Sequence, residues 1–154
     1  MIKPDDFMTA IKDALAEQFP GETPYENRTP KNFSRPSNLV ELISIRLGAI
    51  RPNAVTLLFS YKITDFVKVD DHYNSDTALL DFRTMMIVGG VFGAGYLKVG
   101  DRAPRVESTK TEHNFDYTET TVVLSLTYDR SEFLPSETLP IMEQLQMKFK
   151  EASE

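Results

Sequence analysis

The chain has 154 residues, with 17 Lys plus Arg against 23 Asp plus Glu, a formal charge of −6, and neither cysteine nor tryptophan. That length suits a single domain, 1–154, and lets a fold bury roughly 68–70% of its unfolded surface, while the missing cysteines exclude disulfides and thiolate metal sites. Net negative charge argues against a surface built to grip nucleic-acid phosphates and fits a protein whose partners are other proteins. The opening MIKPDDFMTA has no apolar run and no cleavage site, so no signal peptide is expected. The longest apolar run, Met85–Leu97, is 13 residues long and broken by glycines. It is shorter than the ~20 residues that span a bilayer, and a cytoplasmic protein is expected.

Pro4–Phe19 reads as a helix. Phe7, Ile11, Leu15 and Phe19 recur every four residues, and Asp5 and Asp6 sit in the first turn, where the helix dipole favours negative charge. Pro20-Gly21 ends it. Gly21–Ser37, with Pro24, Pro30 and Pro36, reads as a long surface loop holding a short extended piece near Thr23–Asn27. Phe33 and Arg35 in this loop are placed either to anchor a partner or to lie over the domain edge.

Asn38–Arg46 reads as a strand with apolar residues on both parities, hence covered at least in part on both faces. Leu47–Asn53 should then turn, with Gly48 and Pro52 as breakers. Ala54–Thr64 alternates: Val55, Leu57, Phe59, Tyr61 and Ile63 face one way, and Thr56, Ser60, Lys62 and Thr64 the other. The two strands, so near in sequence, should pair antiparallel.

Asp65–Asn74 reads as a charged loop. Ser75 is the expected N-cap of a second helix running to about Val88, with Leu79, Phe82 and Met86 as its inward stripe and Leu80, Arg83 and Ile87 along the flank; the alternative is that the Arg83–Val91 half extends as a strand. Glycines 89, 90, 93 and 95 then break the regular structure. Tyr96–Val99 is a short strand, and Val106–Glu112 an edge strand whose Lys110 discourages pairing with other chains. Glu119–Asp129 carries the clearest signal in the chain. Thr120, Val122, Leu124, Leu126 and Tyr128 share one parity, and polar residues fill all but one position of the other. It should lie inside a sheet covered on one side only, in a hairpin with the edge strand. A last helix starts near Thr138, with Leu139, Met142, Leu145 and Phe149 as its stripe. The fold class is therefore α+β, with a mainly antiparallel sheet of about four to five strands and helices packed on one face.

No catalytic, cofactor-binding or metal-binding residue stands out. The only histidines, His72 and His113, lie outside any recognisable motif, and G-x-S-x-G is absent. Asp70-Asp71-His72 lacks the glycine and closing glutamate of a calcium loop. The glycine run Gly89–Gly95 is not followed by Lys-Ser/Thr, which excludes a phosphate loop. A small enzyme built on His72 and the neighbouring aspartates is the rival reading from another class.

The order of elements, with FPGETPYENR after the first helix and RPSNLVELISI opening the sheet, resembles that of the phage tail terminator proteins. LKVGDRAPRVESTKTEHNFDYTETTVVLSLTYD is similar to the ending of the same proteins. The likeness is one of layout, from about Phe7 to Tyr128, and the helix from Thr138 is less typical of the family. The resemblance implies a virion structural protein without catalysis, assembled in the host cytoplasm. It implies a ring, often of six copies, on the head-proximal end of the tail tube. Its partners would be further copies of itself, the tube protein, a head or neck completion protein and, in some tails, a sheath. DNA would pass through the ring without sequence-specific binding. Six copies of a −6 chain would together carry −36, and acidic residues facing the lumen would keep passage non-adhesive. A head–tail connector is the neighbouring reading. The interface expected from loop position and residue type comprises Phe33 and Arg35 in the first loop, with Phe66, Lys68, Asp70, His72 and Tyr73 in the second.

Overall fold

A computed structural model describes residues 1–135. The helix expected to start near Thr138 lies outside the described residues. Within them the chain forms an α+β fold on a five-stranded mixed sheet of order β1-β2-β3-β5-β4. The elements are α1 (Pro4–Gln18), β1 (Tyr25–Glu26), β2 (Ser37–Ile50), β3 (Ala54–Phe66), α2 (Thr77–Met86), β4 (Arg105–His113) and β5 (Tyr117–Asp129). Only β1 pairs in parallel, joining Tyr25 and Glu26 to Leu39 and Val40 of β2. The other pairings are antiparallel.

The alternation in β5 has the expected outcome. Thr118, Thr120, Val122, Leu124, Leu126 and Tyr128 are all buried. Register carries the same face across the sheet: Val122 lies opposite Tyr61, Leu124 opposite Phe59, and Leu126 opposite Leu57. Helix α1 lies on this face through Phe7, Ile11 and Leu15. The Phe7 ring stands 4.4 Å from that of Phe59. Two tyrosine hydroxyls then hold the start of the chain to the sheet: Tyr61 donates to the Pro4 carbonyl at 2.9 Å and Tyr128 to that of Ile2 at 3.0 Å. Both hydroxyls sit where burial disfavours the phenolate. Tyr128 is pushed up to about 12, and Tyr61 is raised further. On the opposite, wetter face Lys62 pairs with Glu119 at 3.3 Å and with Glu41 at 3.7 Å.

Five features differ notably from the sequence expectation. β2 continues through Leu47 and Gly48 to Ile50, so the turn is confined to Arg51–Asn53. Gly48 serves close approach here, because a Cβ on it would meet the Thr56 carbonyl oxygen at 3.0 Å. β3 takes in Asp65 and Phe66, which the sequence assigned to a loop. The N-cap of α2 is Asp76, whose carboxylate accepts the Leu79 N–H, while the Ser75 hydroxyl donates to the Asp116 carbonyl. Tyr96–Val99 forms no strand; Tyr96 and Val99 make isolated bridges to Arg105 and Arg102.

The fifth difference is the orientation of α2. The face that meets the sheet is Leu80, Arg83 and Thr84, continued by Ile87 in a π turn over Ile87–Val91. Leu79, Phe82 and Met85 point to solvent. The stripe read from the sequence as inward is therefore largely outward.

Candidate interaction surface

The expected interface residues separate into two groups. Phe33, Arg35 and Phe66 come together on the wetter face, at the end of β3. The Phe33 and Phe66 rings stand 4.8 Å apart. The Arg35 guanidinium lies 4.8 Å from the Phe33 ring centre and 5.3 Å from that of Phe66, and it donates to the Val67 carbonyl at 3.1 Å. Tyr25 and Tyr117 extend the cluster on either side. Stacking of this kind spends the aromatic faces and the cation on one another, so the long first loop is fixed to the sheet.

Lys68, Asp70, His72 and Tyr73 do not join that cluster. They stand on an exposed turn beyond β3. Asp70 organises it: one carboxylate oxygen accepts the N–H groups of His72 at 2.8 Å and Asn74 at 2.9 Å. Tyr73, at φ 61°, occupies the left-handed region, and its ring is almost wholly in solvent. Asp70 thus acts within the loop it belongs to. Among the described residues no group of three or more His, Asp or Glu is placed to hold a metal ion.

Sequence reasoning passed over the strongest electrostatic feature, on the helix-covered face at the same end of the sheet. Arg83 is 6% exposed and Asp65 fully buried. Arg83 donates through Nε and Nη2 to Asp65 at 2.9–3.1 Å, and through Nη1 and Nη2 to Glu22 at 3.0 and 2.7 Å. Its guanidinium also lies 4.1 Å from the Phe19 ring centre. Burial works against the charge on Arg83, but its hydrogen bonds to Glu22 and Asp65 outweigh it and hold the guanidinium ionised. For Asp65 burial dominates over Arg83, and its carboxyl is pushed up to about 6. The cluster joins α2, β3 and the segment after α1, which makes it a clasp of the fold.

Among the described residues two apolar surfaces remain uncovered. At the far end of the helix-covered face, β2 and β3 run past α1. A strand of 13 residues spans about 44 Å, whereas a helix of 15 residues spans about 22 Å, so α1 leaves part of the sheet bare. The bare part is a shelf of Ile45, Leu47, Ile50, Val55 and Leu57, bordered by Phe133 and Leu134. Leu47 is 59% exposed and Ile50 63%. Arg130 lines it, and exposed Asp129 and Glu132 lie beside Arg130 in the chain. The second surface is the outer stripe of α2, where Phe82 is 53% exposed between Leu79 and Met85. Asp76 and Asp81 on the same helix are exposed, Asp76 as the N-cap and Asp81 3.2 Å from His113 Nδ1.

No family model matches the chain, and no curated protein matches it. Several solved structures match, among them one whose name describes no activity, at a TM-score of 0.44 and 12% identity, covering 88% of this chain and 100% of that one. A likeness at that level carries no argument about function.

Proposed function

We propose that this chain is a structural subunit of a ring that caps the head-proximal end of a phage or phage-like tail tube, ends tube growth and offers a docking surface to the head or neck. The layout likeness supplies the kind of assembly. The observation that carries the subunit role is the pair of apolar surfaces left uncovered among the described residues, one on the sheet and one on the outer side of α2. Soluble monomers rarely expose large contiguous apolar patches, and such patches mark sites of association. The fixed first loop and the acidic overall charge fit a part that works by shape and lets DNA pass.

Imaging tails made without this chain tests the reading. Tails of uncontrolled length are expected. Normal tails that fail to join heads would move the role to a neck connector, and normal virions would refute both. The enzyme reading around His72 and Asp71 is tested separately by replacing both with alanine. Unchanged assembly and no lost turnover are expected for a structural part.

A further inference from the structure

We propose that the clasp is a proton-binding site: Asp65 takes up a proton on Oδ2 and donates it to Asn38 Oδ1, and release of that proton loosens the grip of Arg83 on Glu22. The site lies within the fold and is independent of the tail reading.

Two carboxylates, Asp65 and Glu22, meet one guanidinium. Asp65 is fully buried, while the Glu22 side chain, at 18%, is the most exposed of the three. Arg83 on α2 and Glu22 after α1 are the charged groups that act on Asp65. The strands on either side set uncharged residues opposite it, Asn38 of β2 and Thr118 of β5. With both carboxylates ionised the cluster keeps one negative charge unmatched, which a buried setting penalises. One proton removes that surplus.

The same place holds an acceptor without a donor. Asn38 is 1% exposed, and its Oδ1 has no hydrogen-bond partner among the described residues. Asn38 and Asp65 are register partners, so their side chains share one face of the sheet. Residues so opposed have Cβ atoms about 4.5–5.5 Å apart, within reach of one hydrogen bond between short side chains. A carboxylate facing a carbonyl oxygen brings two acceptors together, whereas a carboxylic acid brings a donor. The bonds to Arg83 select the oxygen. Oδ1 of Asp65 accepts from both Nε and Nη2, and Oδ2 from Nε alone, so Oδ2 has the room for a proton. The affinity runs the same way: burial, opposed by Arg83 and aided by Glu22, pushes Asp65 up to about 6.

Below that value Asp65 is neutral, and the charge of Arg83 is left to Glu22, held at 2.7 and 3.0 Å. Above it two carboxylates compete for one cation. Asp65 is fixed in β3, so Glu22 is the one that yields. Glu22 stands at the start of the long first loop, where its N–H donates to the Phe19 carbonyl at 3.2 Å. Proton occupancy therefore sets how firmly that loop is anchored at its beginning.

Nuclear magnetic resonance of the full chain with carbon-13 in its aspartate carboxyls tests this. The Asp65 signal, assigned by its absence in Asp65→Asn, should titrate near 6. In Asn38→Leu, which removes the facing oxygen at similar size, the midpoint should fall by about one pH unit, a tenfold weaker hold on the proton. Hydrogen exchange of the wild type supplies a second readout. Corrected for intrinsic exchange, protection of the Glu22 amide should drop severalfold from about pH 5 to pH 8, with that of Ile11 in α1 steady. Asp65→Asn, whose amide supplies the donor permanently, should keep Glu22 protected throughout. A wild-type midpoint at or below the ordinary ~3.9 would mean a plain ion pair and overturn the proposal. So would an unchanged midpoint in folded Asn38→Leu, or Glu22 protection that ignores pH. Should Asn38→Leu fail to fold, the wild-type midpoint and exchange decide.

Discussion

The two ends of the helix-covered sheet face are made from the same strands with the same alternation, yet they differ in what lies over them. At one end Phe7, Ile11 and Leu15 press on Phe59, Tyr61 and Ile63, and the Arg83–Asp65–Glu22 clasp closes the edge. At the other end Leu47 and Ile50 continue the apolar pattern into solvent. The difference separates two uses of one hydrophobic face. Where a helix covers it, side-chain burial stabilises the fold. Where the strands outrun the helix, the same residue types contribute little to folding and are available for contact.

Substitutions at the covered end should therefore cost stability, and those at the bare end should not. The largest expected effect is Phe7→Ala. Removing a fully buried ring between Phe59 and Tyr61 should lower unfolding free energy by about 3–5 kcal/mol, read from urea denaturation. Arg83→Ala follows closely, at about 3–5 kcal/mol, because it leaves the Asp65 carboxylate buried without its cation. An effect under about 1 kcal/mol there would mean that the clasp adds nothing to the fold.

A pH series sharpens the same point. Burial raises Asp65 from 3.8 to about 6, so the folded chain holds this proton more tightly than the unfolded chain. Its contribution is full below the unfolded value and is lost as pH rises through about 6. The stability of the wild type relative to Asp65→Asn should accordingly fall between about pH 4 and pH 7.5. A constant difference across that interval would contradict the burial argument. The smallest effect belongs to the bare end: Leu47→Asn should stay within about 0.5 kcal/mol of the wild type. A loss comparable to that of Phe7→Ala would erase the distinction between the ends.

How much of this was legible in the sequence depends on the range of the forces involved. The period-2 pattern of Thr120–Tyr128 and the four-residue spacing of Phe7, Ile11 and Leu15 are local, and both gave the buried face correctly. α2 was misoriented because Leu79, Phe82 and Met86 form the better apolar stripe, while its inward face includes a charged residue. Arg83 turns inward for Asp65, 18 residues away, and Glu22, 61 residues away, and periodicity does not register such partners. The shelf was missed for a related reason. Alternation marks Leu47 and Leu57 as one face, but only the relative lengths and placement of α1 and the strands decide what is left bare. Of the loop residues expected at an interface, Phe33, Arg35 and Phe66 are stacked on one another. Lys68, Asp70, His72 and Tyr73 stand apart from them.

The hydroxyl tethers from Tyr61 and Tyr128 to the start of the chain also supply an optical reporter. With no tryptophan in the sequence, near-ultraviolet absorbance comes from tyrosine and phenylalanine. A free phenol ionises near ~10 and shifts its absorption band as it does so. Tyr61 and Tyr128 keep their protons well into the alkaline range for as long as the carbonyls of Pro4 and Ile2 remain seated over them. In a base titration, a late, delayed step in phenolate absorbance would time the detachment of the first residues from the sheet, with no label attached.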